Sequence, residues 1–188
     1  GGFIAVIAAL IFKEPDVGTA LLIIFVSGLM LLIAGIRLQH FVPCVAAVAI
    51  AASAFILTDP MRRGRIDSWL DVEATKLDKG SQAYQTMLAL GSGGWTGIGL
   101  GNSRQKRGWV AEHQTDFILA IIGEELGLAA TLGVVLGFVL IVICGTYIAA
   151  HARDTFGMLL AAGITFLIGT QAFINIGVVT STLPNKGI

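Results

Sequence analysis

The charges divide this 188-residue chain into segments. Val17–Ile36, Leu38–Thr58, Leu126–Ala150 and Thr155–Asn185 are runs of 20, 21, 25 and 31 residues without Asp, Glu, Lys or Arg. A bilayer core about 30 Å thick is crossed by roughly 20 apolar residues rising about 1.5 Å each. Four runs meet that length, and the patterning predicts helices over 17–36, 38–58, 117–150 and 155–182. Gly1–Phe12 is also uncharged but too short to span. It lacks the basic leader and small-residue cleavage site of a signal peptide, so it reads as the second half of a helix. Leu183–Ile188 reads as a turn with no stop signal. With both ends read as cuts, the expectation is a single membrane domain, 1–188, taken from a longer protein.

Composition excludes the rival classes. Hydrophobic residues make up 55% and charged residues 13% of the chain, about half the usual charged share of roughly 25%. The 12 basic and 12 acidic residues cancel. Disorder needs low hydrophobicity and high net charge. Nucleic-acid binding needs a basic excess, so no nucleic-acid partner is expected. Two Cys cannot staple a disulfide scaffold. Cys44 and Cys144 sit inside apolar runs without metal-ligand neighbours, and no Walker, Rossmann or zinc motif is present. The fold class expected is an all-α, polytopic transmembrane helix bundle.

Between the second and third full runs, Asp59–Asp116 carries 15 of the 24 charged residues. Ile66, Trp69 and Leu70 share one helical face, and Tyr84, Met87 and Leu88 repeat that spacing. This predicts short amphipathic helices at the membrane interface, anchored by Trp69, Trp95 and Trp109. A soluble mini-domain packed on the bundle is the alternative. Gly91–Gly94, Gly97, Gly99 and Gly101 predict irregular backbone. Glu124 and Glu125 fall about two turns into the next helix, where charge is expensive and defaults to function. Adjacent side chains diverge by about 100°, so one at most is expected to face an interior squarely, in a buried pairing role. Gly133 and Gly137 form a small-xxx-small pair that predicts a close helix contact. Counting helices places ten basic residues on the side of the long loop and two, Arg37 and Arg153, on the other. Taken naively, that count puts the loop in the cytoplasm, although the rule weakens for loops near 60 residues.

Several segments resemble a known family in collinear order. They are Glu14-Pro15-Asp16-Val17-Gly18-Thr19-Ala20, Tyr84-Gln85 through Gly91-Ser92-Gly93-Gly94-Trp95-Thr96-Gly97-Ile98-Gly99, Thr115-Asp116-Phe117-Ile118 with Gly123-Glu124-Glu125-Leu126-Gly127, Asn175-Ile176-Gly177, and Leu183-Pro184-Asn185-Lys186-Gly187. Together they resemble the SEDS family of polytopic peptidoglycan glycosyltransferases. Gly101-Asn102-Ser103-Arg104-Gln105-Lys106 and the Lys186 segment are closer to its cell-division branch than to its elongation branch. The sequence departs from the family pattern at Ala111, where a Pro is usual. It also departs at His113-Gln114, which shifts the His by one position and puts a role for it in doubt.

The resemblance implies that the long loop is extracytoplasmic, against the naive charge count, and that the chain sits in the bacterial inner membrane at the septum. It implies polymerisation of lipid II, with a penicillin-binding transpeptidase, division regulators and membrane lipids as partners. An acceptor hydroxyl attacking the sugar C1 needs a base, and the departing pyrophosphate needs cations or N–H groups. Asp116 matches the family's essential acid and takes the base role; the plainer reading is a helix cap with Thr115 beside it. Glu112 is a second carboxylate that orients the acceptor, binds a divalent cation such as Mg or Mn, or is an ordinary loop charge. Arg104, Lys106 and Lys186 are candidate pyrophosphate contacts or solvated charges. Lys13 and Asp16 share the side of Asp116, and Pro15-Asp16 equally suits a helix start. A lipid II flippase and a non-catalytic division scaffold share this hydropathy frame and stay open.

Overall fold

A computed structural model describes residues 17–58, 64, 69, 81–103 and 117–184. The described residues form five helices and no strand: α1 Val17–Ile33, α2 Leu38–Thr58, α3 Ser81–Gly93, α4 Ile118–Ala150 and α5 Thr155–Val179. The all-α expectation holds. α4 and α5, at 33 and 25 residues, are each long and apolar enough to cross a membrane.

The helix ends follow from local chemistry. α1 stops at Ile33 rather than Ile36 because Gly35 takes φ 87°. The Ile36 N–H then donates to Leu31 O and the Gly35 N–H to Leu32 O, the paired closure of a Schellman turn. α5 begins at Thr155 because Asp154 Oδ2 accepts the Gly157 N–H at 2.9 Å, an N-cap. Asp154→Ala is expected to destabilise the detergent-solubilised protein by about 1 kcal/mol, whereas Asp154→Asn keeps the cap; unfolding curves of the two variants separate them. α5 ends at Val179 rather than Thr182. Ser181 sits at φ 57° and Leu183 N–H donates to Gly177 O. The Leu183 side chain packs over Gly177, where a Cβ would lie 2.5 Å from Leu183 Cδ1.

The chain divides into two compact units. One comprises Gly1–Phe55, Val139–Gln171 and Lys186–Ile188. There, small residues bring helices together. A Cβ on Gly145 would collide with the Thr165 side chain, and one on Gly163 would lie 2.8 Å from Met30 Sδ. Gly133 and Gly137, the pair predicted to make such a contact, have nothing within 4 Å of a Cβ position among the described residues. Spacing alone does not say which face of a helix meets a neighbour.

The other unit comprises Ile56–Phe138 and Ala172–Asn185. Its core gathers Ala89 of α3, Phe117, Leu119 and Ala120 at the start of α4, and Val178 and Val179 at the end of α5. Trp69 is half-buried and donates its indole N–H to Ser181 O at 3.0 Å, so it serves this unit's packing rather than standing at an interface. Trp95 is 72% exposed.

Large apolar side chains line the outside of the long helices. Leu132, Leu136, Leu140 and Ile143 on α4 and Phe156 and Leu160 on α5 are all exposed. Water does not tolerate contiguous apolar surface on this scale, whereas lipid requires it. The chain is a membrane protein.

Candidate functional site

α4 is broken at Gly127, whose backbone adopts φ 80° and ψ −177°. That conformation is open to essentially no residue but Gly. It carries the amides of Leu128 and Ala129 away from their helical acceptors, the carbonyls of Glu124 and Glu125. The glycine-rich segment after α3 supplies replacements. Leu128 N–H donates to Gly94 O at 2.8 Å and Ala129 N–H to Trp95 O at 3.5 Å. In the other direction, Ile98 N–H donates to Glu124 O and Gly99 N–H to Glu125 O, both at 3.0 Å. Broken helices survive at membrane depth only when protein re-satisfies the freed groups in this way.

The interlock needs glycine for space as well as for backbone angle. A Cβ on Gly93 would collide with Gly123 O, and one on Gly97 with Glu125 O. A Cβ on Gly127 would lie 2.5 Å from both Gly97 N and Trp95 O. The irregular backbone predicted from Gly91 begins only at Gly94, since α3 runs through Gly93. α3 also turns an unexpected face inward. Thr86, Ala89 and Gly93 are buried, whereas Met87 and Leu88 are exposed. Close approach to α4 selects the small residues, and the large ones face outward.

Both glutamates at the break are buried, at 1% exposure for Glu124 and 9% for Glu125. The divergence expected of neighbours does not keep one of them outside. Both reach Ser103, itself 0% exposed. Ser103 Oγ donates to Glu124 Oε2 at 2.5 Å, and the Ser103 N–H donates to Glu125 Oε1 at 3.3 Å. Ser103 offers two separate donors, which is how one residue engages two divergent carboxylates. Sequence reasoning missed Ser103. The available signal was the glutamate pair in an apolar helix, which must find hydrogen-bond donors somewhere in the fold.

Of the residues predicted to carry the chemistry, Asp116, Glu112, Thr115, Asp16, Lys13, Arg104, Lys106 and Lys186 all lie outside the described residues. Their neighbours are in place. Phe117, directly after Asp116, is 1% exposed in the core. Ser103, directly before Arg104, is held by the two glutamates. Among the described residues no group of three His, Cys, Asp or Glu could hold a metal ion.

An all-helical membrane unit with a broken helix braced by a glycine-rich loop defines a polytopic-type bundle protein with irregular backbone at its centre. The comparisons identify its family. Residues 1–188 match the model of the FtsW/RodA/SpoVE family, described as cell cycle protein, and the chain belongs to that family. A relative from Marinobacter nauticus, named probable peptidoglycan glycosyltransferase FtsW, is 40% identical over 100% of this chain and 48% of its own length. Another of that name from Nitrosococcus halophilus is 41% identical over 100% of this chain and 49% of its own. A chain of a solved peptidoglycan synthase complex superposes with a TM-score of 0.74 at 21% identity, covering 97% of this chain and 50% of that one. That likeness establishes the fold. The chain spans about half the length of the curated relatives it matches.

Proposed function

We propose that the chain is part of a multi-pass inner-membrane glycosyltransferase that polymerises lipid II at the division septum. The observation that carries this reading is the match of the whole chain to relatives named as FtsW peptidoglycan glycosyltransferases. The collinear motifs support it, because Asp116 falls where the family's essential acid is expected. In this mechanism the acceptor 4-hydroxyl oxygen attacks C1 of the lipid-linked sugar. Its proton passes to the Asp116 carboxylate. The C1–O bond to pyrophosphate breaks, and undecaprenyl pyrophosphate leaves with the bonding pair. Arg104, Lys106 and Lys186 hold the developing phosphate charge. Glu112 and Thr115 orient the acceptor, and Lys13 and Asp16 contribute from the same side of the membrane. The long loop faces outward, where a lipid-linked substrate accounts for its basic clusters. A membrane transpeptidase is the partner that fits. Support for it comes from the structural likeness to a chain of a synthase complex.

The decisive measurement uses the purified full-length protein and lipid II, with no other polymerase present. The expected result is glycan strands on gels. A flippase would carry lipid II across vesicle bilayers and make none, and a scaffold would do neither.

A further inference from the structure

Glu124, Glu125 and Ser103 take no part in the transfer chemistry above, yet they are buried and bonded to one another. We propose that these three are positioning residues, a clasp that fixes where the segment leading to Asp116 leaves the helical unit. The inference rests on the reading of Asp116 as the base.

Four hydrogen bonds join residues 98–103 to the two glutamates. Their carbonyls accept from Ile98 and Gly99, and their carboxylates accept from Ser103. Backbone and side chain of both residues therefore grip one stretch of chain. Ser103 is the residue before the 104–116 segment, and Phe117 is the residue after it. Phe117 is buried in the core two residues ahead of Leu119, on the same short helix that carries the glutamates. The segment with Glu112, Thr115 and Asp116 thus leaves from and returns to a single rigid piece, Ile118–Leu126. Fixing both ends of a segment removes most of its freedom.

The choice of carboxylates points to function rather than stability. Burying a charged group is penalised by several kcal/mol, and apolar residues would hold two segments together more cheaply. Charged acceptors form shorter and stiffer hydrogen bonds, and the Ser103–Glu124 contact at 2.5 Å is of that kind. Stiffness matters where a base must meet a hydroxyl, because a 1 Å misplacement lowers rate by about 100-fold.

The test uses full-length protein in detergent with lipid II, reading kcat, KM and melting temperature. Ser103→Ala removes one oxygen. It is expected to lower kcat by about 10- to 100-fold with KM changed less than about twofold and melting unchanged. Ser103→Thr restores the hydroxyl and Glu124→Gln keeps an acceptor, and both are expected to recover most of the rate. Glu124→Ala falls with Ser103→Ala, and the double variant is no slower than the worse single, because both remove one contact. Wild-type kcat in Ser103→Ala overturns the clasp, as does a melting temperature that falls in step with activity. Glu124→Gln as slow as Glu124→Ala overturns it too, by making charge rather than the bond the requirement. Asp116→Asn separates the two readings. If it is inactive while Ser103→Ala is fully active, the base stands and the clasp falls. If Asp116→Asn is fully active, both fall.

Discussion

Asp116→Asn in the full-length protein is expected to lower lipid II polymerisation by about 10²- to 10⁴-fold, the range that a general base contributes. The substitution keeps the shape of the side chain and removes only its capacity to take a proton. It also separates the two roles open to this residue. Asn caps a helix as well as Asp does, so a residue that merely starts α4 would tolerate the change in both stability and activity. The expected result is a protein that melts as wild type, retains lipid II and makes no strands. Wild-type strand synthesis by Asp116→Asn would remove the base from the mechanism. In cells, the same variant is expected to keep partner binding and lose septal growth, which a scaffold would not.

Substitution at the break in α4 carries the largest expected effect on folding. Gly127→Val combines a backbone angle open essentially to Gly with a side chain 2.5 Å from Gly97 N and Trp95 O. Backbone strain of this kind costs about 1–3 kcal/mol and overpacking costs about the same again. Together they approach the whole stability of an ordinary domain, roughly 5–15 kcal/mol. The expected outcome is a large fall in melting temperature or loss of monodisperse protein. Gly133→Ala is the matched control on the same helix. With nothing within 4 Å of its Cβ position, it is expected to be neutral or stabilising by up to about 1 kcal/mol. Equal melting of Gly127→Val and wild type would contradict the interlock.

The helices were legible in the sequence because hydrocarbon imposes its own ruler. Charge-free runs near 20 residues have few other uses, and α1, α2 and α5 begin where those runs begin. Their ends were less legible, since a Schellman turn at Gly35 and the Leu183 fold-back close helices inside an uncharged stretch. The inward face of α3 was misread because amphipathic counting assumes that large apolar residues turn inward. Next to lipid they turn outward, and Thr86, Ala89 and Gly93 make the contact instead. The break in α4 was visible only as a glycine after two glutamates. Its partner lies about 30 residues earlier in the chain, and no local pattern connects Gly94–Gly99 to Glu124–Ala129. For the candidate site, the resemblance rather than periodicity singled out Asp116. Ser103 escaped both, because nothing about a serine at the end of a glycine stretch announces burial.

The exchange of hydrogen bonds at Gly127 also dictates an order of assembly. The glycine-rich segment emerges from the ribosome before α4 exists, with its amides and carbonyls unpaired. It cannot enter hydrocarbon in that state, and neither can the broken turn of α4 on its own. Each is the other's passport into the membrane. The earlier segment must therefore wait in water or at the bilayer surface until its partner is made, and the two go in as one piece.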